Sequence, residues 1–344
     1  MRRGWALLLA GAILLPACGD GPDLSQPPAG EETQTAPPDS PPPGEQDQDG
    51  QPLPDDRWMG LGSAPTPLSE VAAASFGGQV WTAGGFTEQG EATASVQIFD
   101  PTFGTWSTGP ELPEPVHHSA LVSAGDALYL LGGYVGSGFS NPTAAVRRLD
   151  TGSGQWTDGP PLPEARAAGA AAWDGERVVY GGGVGPSGLA GDVVGLEGDR
   201  WSPVGELSRA REHLAAAGDG QGRVWFLAGR TGGLDTNLAT VDLVEGDDVR
   251  PLGEVPTPRG GVAAFWAPAA GACVVGGEQP DGTFADVECV DADGTVTVLP
   301  SLGMARHGLG AAVVENAAYV ALGGREPGLS VSGVVEALRL GGQE

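Results

Sequence analysis

No lysine occurs in the 344 residues; all 17 basic residues are arginine, set against 44 acids for a net charge of −27. A chain so short of positive charge lacks the basic face that a phosphate backbone requires, which excludes nucleic acid as a partner and favours solubility. The missing lysine fits either genome composition or a high-salt habitat, and the sequence leaves both open. Long helices are excluded as the dominant element, because 59 residues are Gly and 30 are Pro. The apolar run GWALLLAGAILLPA, starting at Gly4, falls short of the roughly 20 residues that a permanent membrane helix takes. Cysteine is scarce too, with three in the chain, and histidine with four.

What is there begins with an address. A positive MRR precedes the apolar run, which ends in Leu15-Pro16-Ala17-Cys18. This resembles a bacterial lipobox, in which the Cys after a small residue receives lipid and becomes the mature N-terminus. Residues 1–17 are read as a lipoprotein signal peptide and Cys18 as the lipid acceptor; the plainer reading is a secretory signal with an incidental Cys. Residues 18–56 are rich in Pro, Gly, Gln and acids and nearly free of aromatic and β-branched residues. Such a segment buries too little apolar surface to offset the entropy of ordering. It is expected to be a disordered tether whose ends sit roughly 30–40 Å apart, holding a domain off a membrane. The remaining residues, 57–344, carry 34 acids and 15 arginines, a net of −19.

Within residues 57–344 two landmarks recur in phase. A double glycine or close variant follows an apolar run at Gly84-Gly85, Gly132-Gly133, Gly182-Gly183, Ala228-Gly229, Gly276-Gly277 and Gly323-Gly324, at spacings of 48, 50, 46, 48 and 47. The second series is Trp58, Trp106, Trp156, Trp201, Val249 and Val296, each followed ten residues on by Leu68, Val116, Arg166, Arg211, Arg259 or Arg306. Between landmarks lie a run of small apolar residues, a Gly/Asp/Asn turn, a second apolar run ending at the glycines, an alternating run such as SVQIFD, and a fourth run carrying the Trp. Period-two alternation bounded by Gly and Pro predicts antiparallel strands, and four per unit at a period near 48 predicts a propeller blade.

The double glycine and the Trp at this period resemble the kelch repeat over about residues 57–340. The family's usual Tyr between the two landmarks is Phe99 in the first copy and aliphatic elsewhere, as at Leu149 and Leu196. The resemblance implies an all-β, six-bladed kelch-type β-propeller. The segment around residues 57–60 is expected to supply the missing fourth strand of the sixth blade, so that the N-terminal strand closes the ring.

Cys273 and Cys289 fall on the second and third strands of the fifth unit, with the hairpin turn midway between them, so a cross-strand disulfide is expected in an exported protein; two buried thiols are the alternative. In such a blade the turn into each first strand shares a face with the loop after each second strand. One mouth of the propeller axis would then gather Arg166, Arg211, Arg259, Arg306, His117, His118, His213 and His307, with Phe86, Tyr134, Arg230 and Arg325 just past the glycines. Focused arginines would grip carboxylates, so an anionic glycan or acidic protein segment is the expected ligand; the plainer reading has each repeated Arg bonding backbone carbonyls.

An enzyme is the second reading. Kelch-like propellers include copper oxidases resembling galactose oxidase, which need a Tyr–Cys link and are set aside because the two domain cysteines are expected to pair with each other, and sugar mutarotases, for which His118, Glu212 and His213 would serve at the axis. No Ser-His-Asp or metal-ligand spacing stands out along the chain. DADG at Asp291–Gly294 opens like a calcium loop, but its twelfth position is Leu302. The expectation is therefore an exported, lipid-anchored, monomeric binding or scaffold module, on the periplasmic or cell-surface side, with no cofactor, no metal and no catalytic residue assigned, recognising a protein or glycan.

Overall fold

The computed structural model describes residues 46–47 and 50–341. The signal peptide, Cys18 and most of the tether lie outside the described residues. The last of the tether does not: Leu53 is buried in a cluster with Leu68, Val335 and Ala337, and the Pro54 carbonyl accepts from Arg339 N–H at 2.9 Å. The folded part thus starts a few residues before position 57, because Leu53 has an apolar seat that composition alone did not show.

Six four-stranded antiparallel sheets make the propeller, and no helix occurs among the described residues. Blade 1 runs Ala72–Phe76, Gln79–Ala83, Val96–Asp100 and Thr105–Thr108 from the axis outward. The innermost strands of blades 2 to 6 are Ala120–Ala124, Ala170–Trp173, Ala215–Gly218, Ala263–Ala267 and Gly310–Val314. Alanine dominates them because six strands crowd one axis and a larger side chain would not fit between neighbours. In blade 6 the outer strand is Met59–Leu68, paired antiparallel with Ser332–Arg339, so the ring closes with the N-terminal strand.

Apolar clusters fill the wedges between blades; one joins Trp81 and Ile98 of blade 1 to Leu128 and Leu130 of blade 2. The landmark tryptophans staple neighbours. Trp156, Trp201 and Trp58 donate Nε1–H to the carbonyls of Pro110, Pro160 and Pro300 at 2.8, 2.9 and 2.8 Å, each in the turn that leaves the preceding blade. Cys273 and Cys289 are direct register partners, 3.8 Å apart at Cα, and form a disulfide.

The double glycine has a specific job. The second glycine's N–H donates to the carbonyl of the landmark residue entering the next blade: Gly85 to Val116, Gly133 to Arg166, Gly183 to Arg211, Gly229 to Arg259 and Gly277 to Arg306. Gly323 donates to Leu68 and completes the circle. Approach is so close that a Cβ on Gly132, at φ +59°, would sit 2.3 Å from the Arg166 carbonyl oxygen. This bond also corrects the sixth copy. Its structural pair is Leu322-Gly323, with Leu322 N–H bonded to Val334 and φ at 65°, rather than Gly323-Gly324. Adjacent glycines there hid the slip of one residue.

Candidate functional site: the axial His/Glu ring

Two residues after each landmark, the chain turns into its inner strand through a left-handed residue: Glu70, His118, Ala168, His213, Gly261 and Gly308, with φ between 53° and 70°. Their backbones form a ring around the axis. Each N–H from His118 onward donates to the preceding member's carbonyl at 2.9–3.3 Å, and Val71 N–H closes on Gly308 at 3.4 Å. Left-handed backbone is strained for Glu, His and Ala, and strained non-glycine residues concentrate at functional sites.

Three members of this ring project ionisable groups toward each other. His118 Nε2 lies 2.9 Å from His213 Nε2 and 3.2 Å from Glu70 Oε2. His118 Nδ1 meets His117 Nδ1 at 2.6 Å, and His117 Nε2 faces the Gly138 carbonyl at 3.3 Å. His213 Nδ1 is bonded to the Glu212 carboxylate. Arg230 spans Glu212 at 3.1 Å and Glu278 at 2.8 Å. His307 Nε2 approaches Glu70 at 3.5 Å and Glu278 at 3.6 Å and bonds the Gly328 carbonyl at 2.7 Å. Among the described residues, Glu70, His118 and His213 form one group whose ligating atoms lie within 4.8 Å of one another, and Glu70, Glu278 and His307 form another.

Electrostatics follow from burial. It pulls the His117 imidazole down to about 4, and pulls His118 well below its usual range, helped by His213, His117, Arg230 and His307. Burial opposes the charged Glu212, but the hydrogen bond and charge of His213, with Arg230, hold its carboxyl below the usual value. Burial likewise opposes a charged Arg230, and the adjoining Glu212 and Glu278 outweigh it and raise its pKa. Burial, then Glu212, pushes the Tyr134 phenol up.

Above the ring stands an aromatic wall. Phe139 is 57% exposed, and its ring centroid lies 5.1 Å from His117, 5.5 Å from His118, 5.6 Å from Tyr134 and 5.8 Å from Phe86. Beneath the ring is a cavity of about 70 Å³ lined by Glu70, His118, Ala168, His213 and the two glycines. A separate, wider opening of about 530 Å³ lies at the far end of the inner strands. That opening is lined by small and apolar residues, among them seven alanines with Trp173, Trp266 and Phe265, and its ionisable groups are Asp219 and Glu315, so the chemistry sits at the ring end.

Of the residues expected at this mouth, His117, His118, His213, His307, Arg230 and Tyr134 do converge. The repeated arginines do not. Arg211, Arg259 and Arg306 have fully buried side chains paired with Asp242, Glu288 and Glu336 of their own blades at 2.7, 2.8 and 2.6 Å, and also bond backbone carbonyls. Arg166 is held by Asp192 and Glu164 and faces the Gly182 carbonyl. Their charge is spent inside the blades, so the cationic mouth does not form. Arg325 is exposed and one residue beyond the ring, displaced by the slip at Leu322. Glu70, Glu278 and Phe139 went unnoticed. Glu70 stands two residues after Leu68, in phase with His118 and His213, and Glu278 directly after Gly277, in phase with Arg230; both were within reach of the repeat. The chain also holds two metal-capable groups where no metal spacing was visible.

A family model described as the kelch motif matches residues 67–113 and 115–163, which are blades 1 and 2 with their entries. Kelch-like protein 35 of Mus musculus is 31% identical over 83 residues, covering 24% of this chain and 14% of that protein's length. The solved structure of YjhT superposes with a TM-score of 0.66 at 14% identity, covering 80% of this chain and 96% of that one, a likeness of fold. With the ring complete, the chain is a six-bladed β-propeller whose first two blades match the kelch motif.

Proposed function

We propose that this propeller is a non-catalytic binding module that takes a glycan on the loop face, at the mouth of the axis. The observation that carries the reading is Phe139, exposed beside a floor of buried His117, His118 and Tyr134. An aromatic face next to convergent hydrogen-bonding groups suits a sugar ring, which offers an apolar C–H face and a rim of hydroxyls. With the arginines committed to internal carboxylates, a neutral, hydroxyl-rich glycan fits better than an acidic one, and a protein segment remains the other class of occupant. The module is exported, monomeric and tethered to a membrane through lipid on Cys18. Glycan-array binding of the full chain tests the reading. Phe139→Ala should abolish the sugar signal at unchanged thermal stability; a chain that binds no glycan, or whose binding ignores Phe139, overturns it. Replacing Cys18 by Ser should move the protein from the detergent phase to the aqueous phase, and an unchanged partition refutes the anchor.

A second reading is favoured by the hydrogen-bonded His213–Glu212 pair beside His118, which offers a proton acceptor and donor at the axis. A sugar mutarotase or epimerase would use such a pair. Anomer interconversion followed by NMR with each panel sugar separates the two: acceleration lost in His213→Ala supports the enzyme, and no acceleration leaves the binding module.

A further inference from the structure

We propose that Glu70, His118 and His213 hold a divalent transition-metal ion of the zinc or cobalt type at the propeller axis, with Glu212 orienting His213. The argument rests first on proton placement. His213 Nδ1 faces the Glu212 carboxylate, so it carries that ring's proton and leaves Nε2 as a lone pair. At the other end of the chain of rings, His117 Nε2 faces the Gly138 carbonyl oxygen and donates to it. His117 Nδ1 is then a lone pair, and His118 Nδ1 supplies the proton in the 2.6 Å contact between them. His118 Nε2 becomes a lone pair too. Two imidazole lone pairs and a carboxylate oxygen therefore converge, 2.9 and 3.2 Å apart, with no hydrogen among them. Acceptors in that arrangement repel unless a cation lies between them.

Distance agrees. Donors around a tetrahedral ion with bonds of about 2.0–2.1 Å are separated by about 3.3 Å, close to the two spacings that His118 makes, and all three atoms lie within 4.8 Å of one another. Charge agrees as well. Glu70, Glu212 and Glu278 bring three negative charges and Arg230 one positive, so two negative charges at a largely buried place are left for the imidazoles or a cation to offset. Arg230 is pinned between Glu212 and Glu278, which screens it from the ion. A carboxylate gripping the far nitrogen of a ligating histidine is the usual second partner of such centres and fixes the ring's tautomer. Two imidazoles and one carboxylate select ions of the Zn²⁺, Co²⁺ or Fe²⁺ kind over Ca²⁺ or Mg²⁺. The trio also lines the 70 Å³ cavity, roomy enough for water to complete the coordination.

The other group, Glu70 with Glu278 and His307, fits less well. His307 Nε2 is committed to the Gly328 carbonyl, and Glu278 is taken by Arg230 and by Gly328 N–H at 2.9 Å. The proposal does not depend on which ligand the loop face takes.

Titrating the metal-free full chain with Co²⁺ tests it. One saturating equivalent with ligand-field absorption is expected, displaced by Zn²⁺, and Zn²⁺ should raise the melting temperature. H118A and H213A should each weaken Zn²⁺ binding at least 100-fold, and E212Q by about 10–100-fold. H307A should change it less than about threefold, since its Nε2 is otherwise engaged. A parent chain that binds no Co²⁺ or Zn²⁺ stoichiometrically overturns the proposal whatever the variants do, and means that a proton fills the gap. Binding that survives in folded H118A/H213A overturns it equally.

Discussion

Arg211 and Asp242 allow a test of the claim that the repeated arginines hold blades together. Both side chains are fully excluded from solvent. The guanidinium donates Nε–H to the Ala228 carbonyl at 2.7 Å, Nη1 to Asp242 at 2.7 Å and to Arg209 at 3.1 Å, and Nη2 to Phe226 at 3.0 Å. Asp242→Asn keeps the shape and leaves one amide oxygen for Ser208 N–H, now bonded at 3.0 Å, but removes the carboxylate that pairs with Arg211. An uncompensated buried cation should cost about 3–5 kcal/mol. For a propeller of this size that lowers the melting temperature on the order of 10 °C. Blade 1 shows the remedy. There Leu68 replaces the arginine and neutral Gln97 the acid, with the amide bonded to Thr66 N–H and C=O, both at 2.9 Å. Adding Arg211→Leu to Asp242→Asn should therefore recover stability rather than lose more, with a coupling of roughly 2 kcal/mol or greater in a double-mutant cycle. Urea unfolding followed by tryptophan fluorescence measures all four corners. Costs below about 1 kcal/mol for Asp242→Asn, or two losses that simply add, would refute the reasoning.

Thiol titration of the denatured, unreduced chain should find neither Cys273 nor Cys289 free, and replacing both by Ala, which opens a link of sequence separation 16, should cost about 3 kcal/mol. Gly132→Ala drives a Cβ to 2.3 Å from the Arg166 carbonyl and should destabilise by about 2–4 kcal/mol; Gly136→Ala, equally left-handed but in open space, should cost only about 1 kcal/mol. Burial, aided by Asp192 against Arg166, pushes the Tyr180 phenol well above its usual value. Only the unfolded chain then releases that proton near pH 10, so stability falls as pH rises past about 10. Phenolate absorbance from Tyr180, assigned by Tyr180→Phe, should appear only with unfolding, and a normal titration in the folded protein would contradict it.

The legible part of this molecule is the part that repeats. Trp58, Trp156 and Trp201 mark an outer strand because each indole bonds the exit turn of the preceding blade, and the glycine pair recurs because each blade must come within touching distance of the next. Local sequence failed where one residue's identity was ambiguous. At Leu322-Gly323-Gly324 the tolerated leucine occupied the glycine's place, and Arg325 was carried into the wrong ring position. It failed again where partners are distant: Arg211, Arg259 and Arg306 are neutralised from 29 to 31 residues away, at positions that alternation marks only as strand. The repeat brought His118 and His213 to one mouth, but their joining with Glu70 as one ligand set did not show, for the same reason. His118 and His213 are 95 residues apart, and metal patterns are sought within one loop or helix.

Sixfold repetition also says where function can be built. A position filled alike in every blade answers to packing, since every blade needs it. The ring of left-handed residues breaks that rule. Gly261 and Gly308 occupy it as the backbone prefers, whereas Glu70, His118 and His213 accept strained φ values of 53–55° at equivalent places. The other three inner strands are entered with the same geometry through Ala168, Gly261 and Gly308, so stability does not require Glu or His there. What the three share is convergence on one point of the axis, reached from three blades at once. Substituting glycine at Glu70, His118 and His213 together should on this reasoning leave the propeller intact or raise its melting temperature, while removing whatever the axis binds. Loss of the fold in that triple variant would return the ring to a structural role.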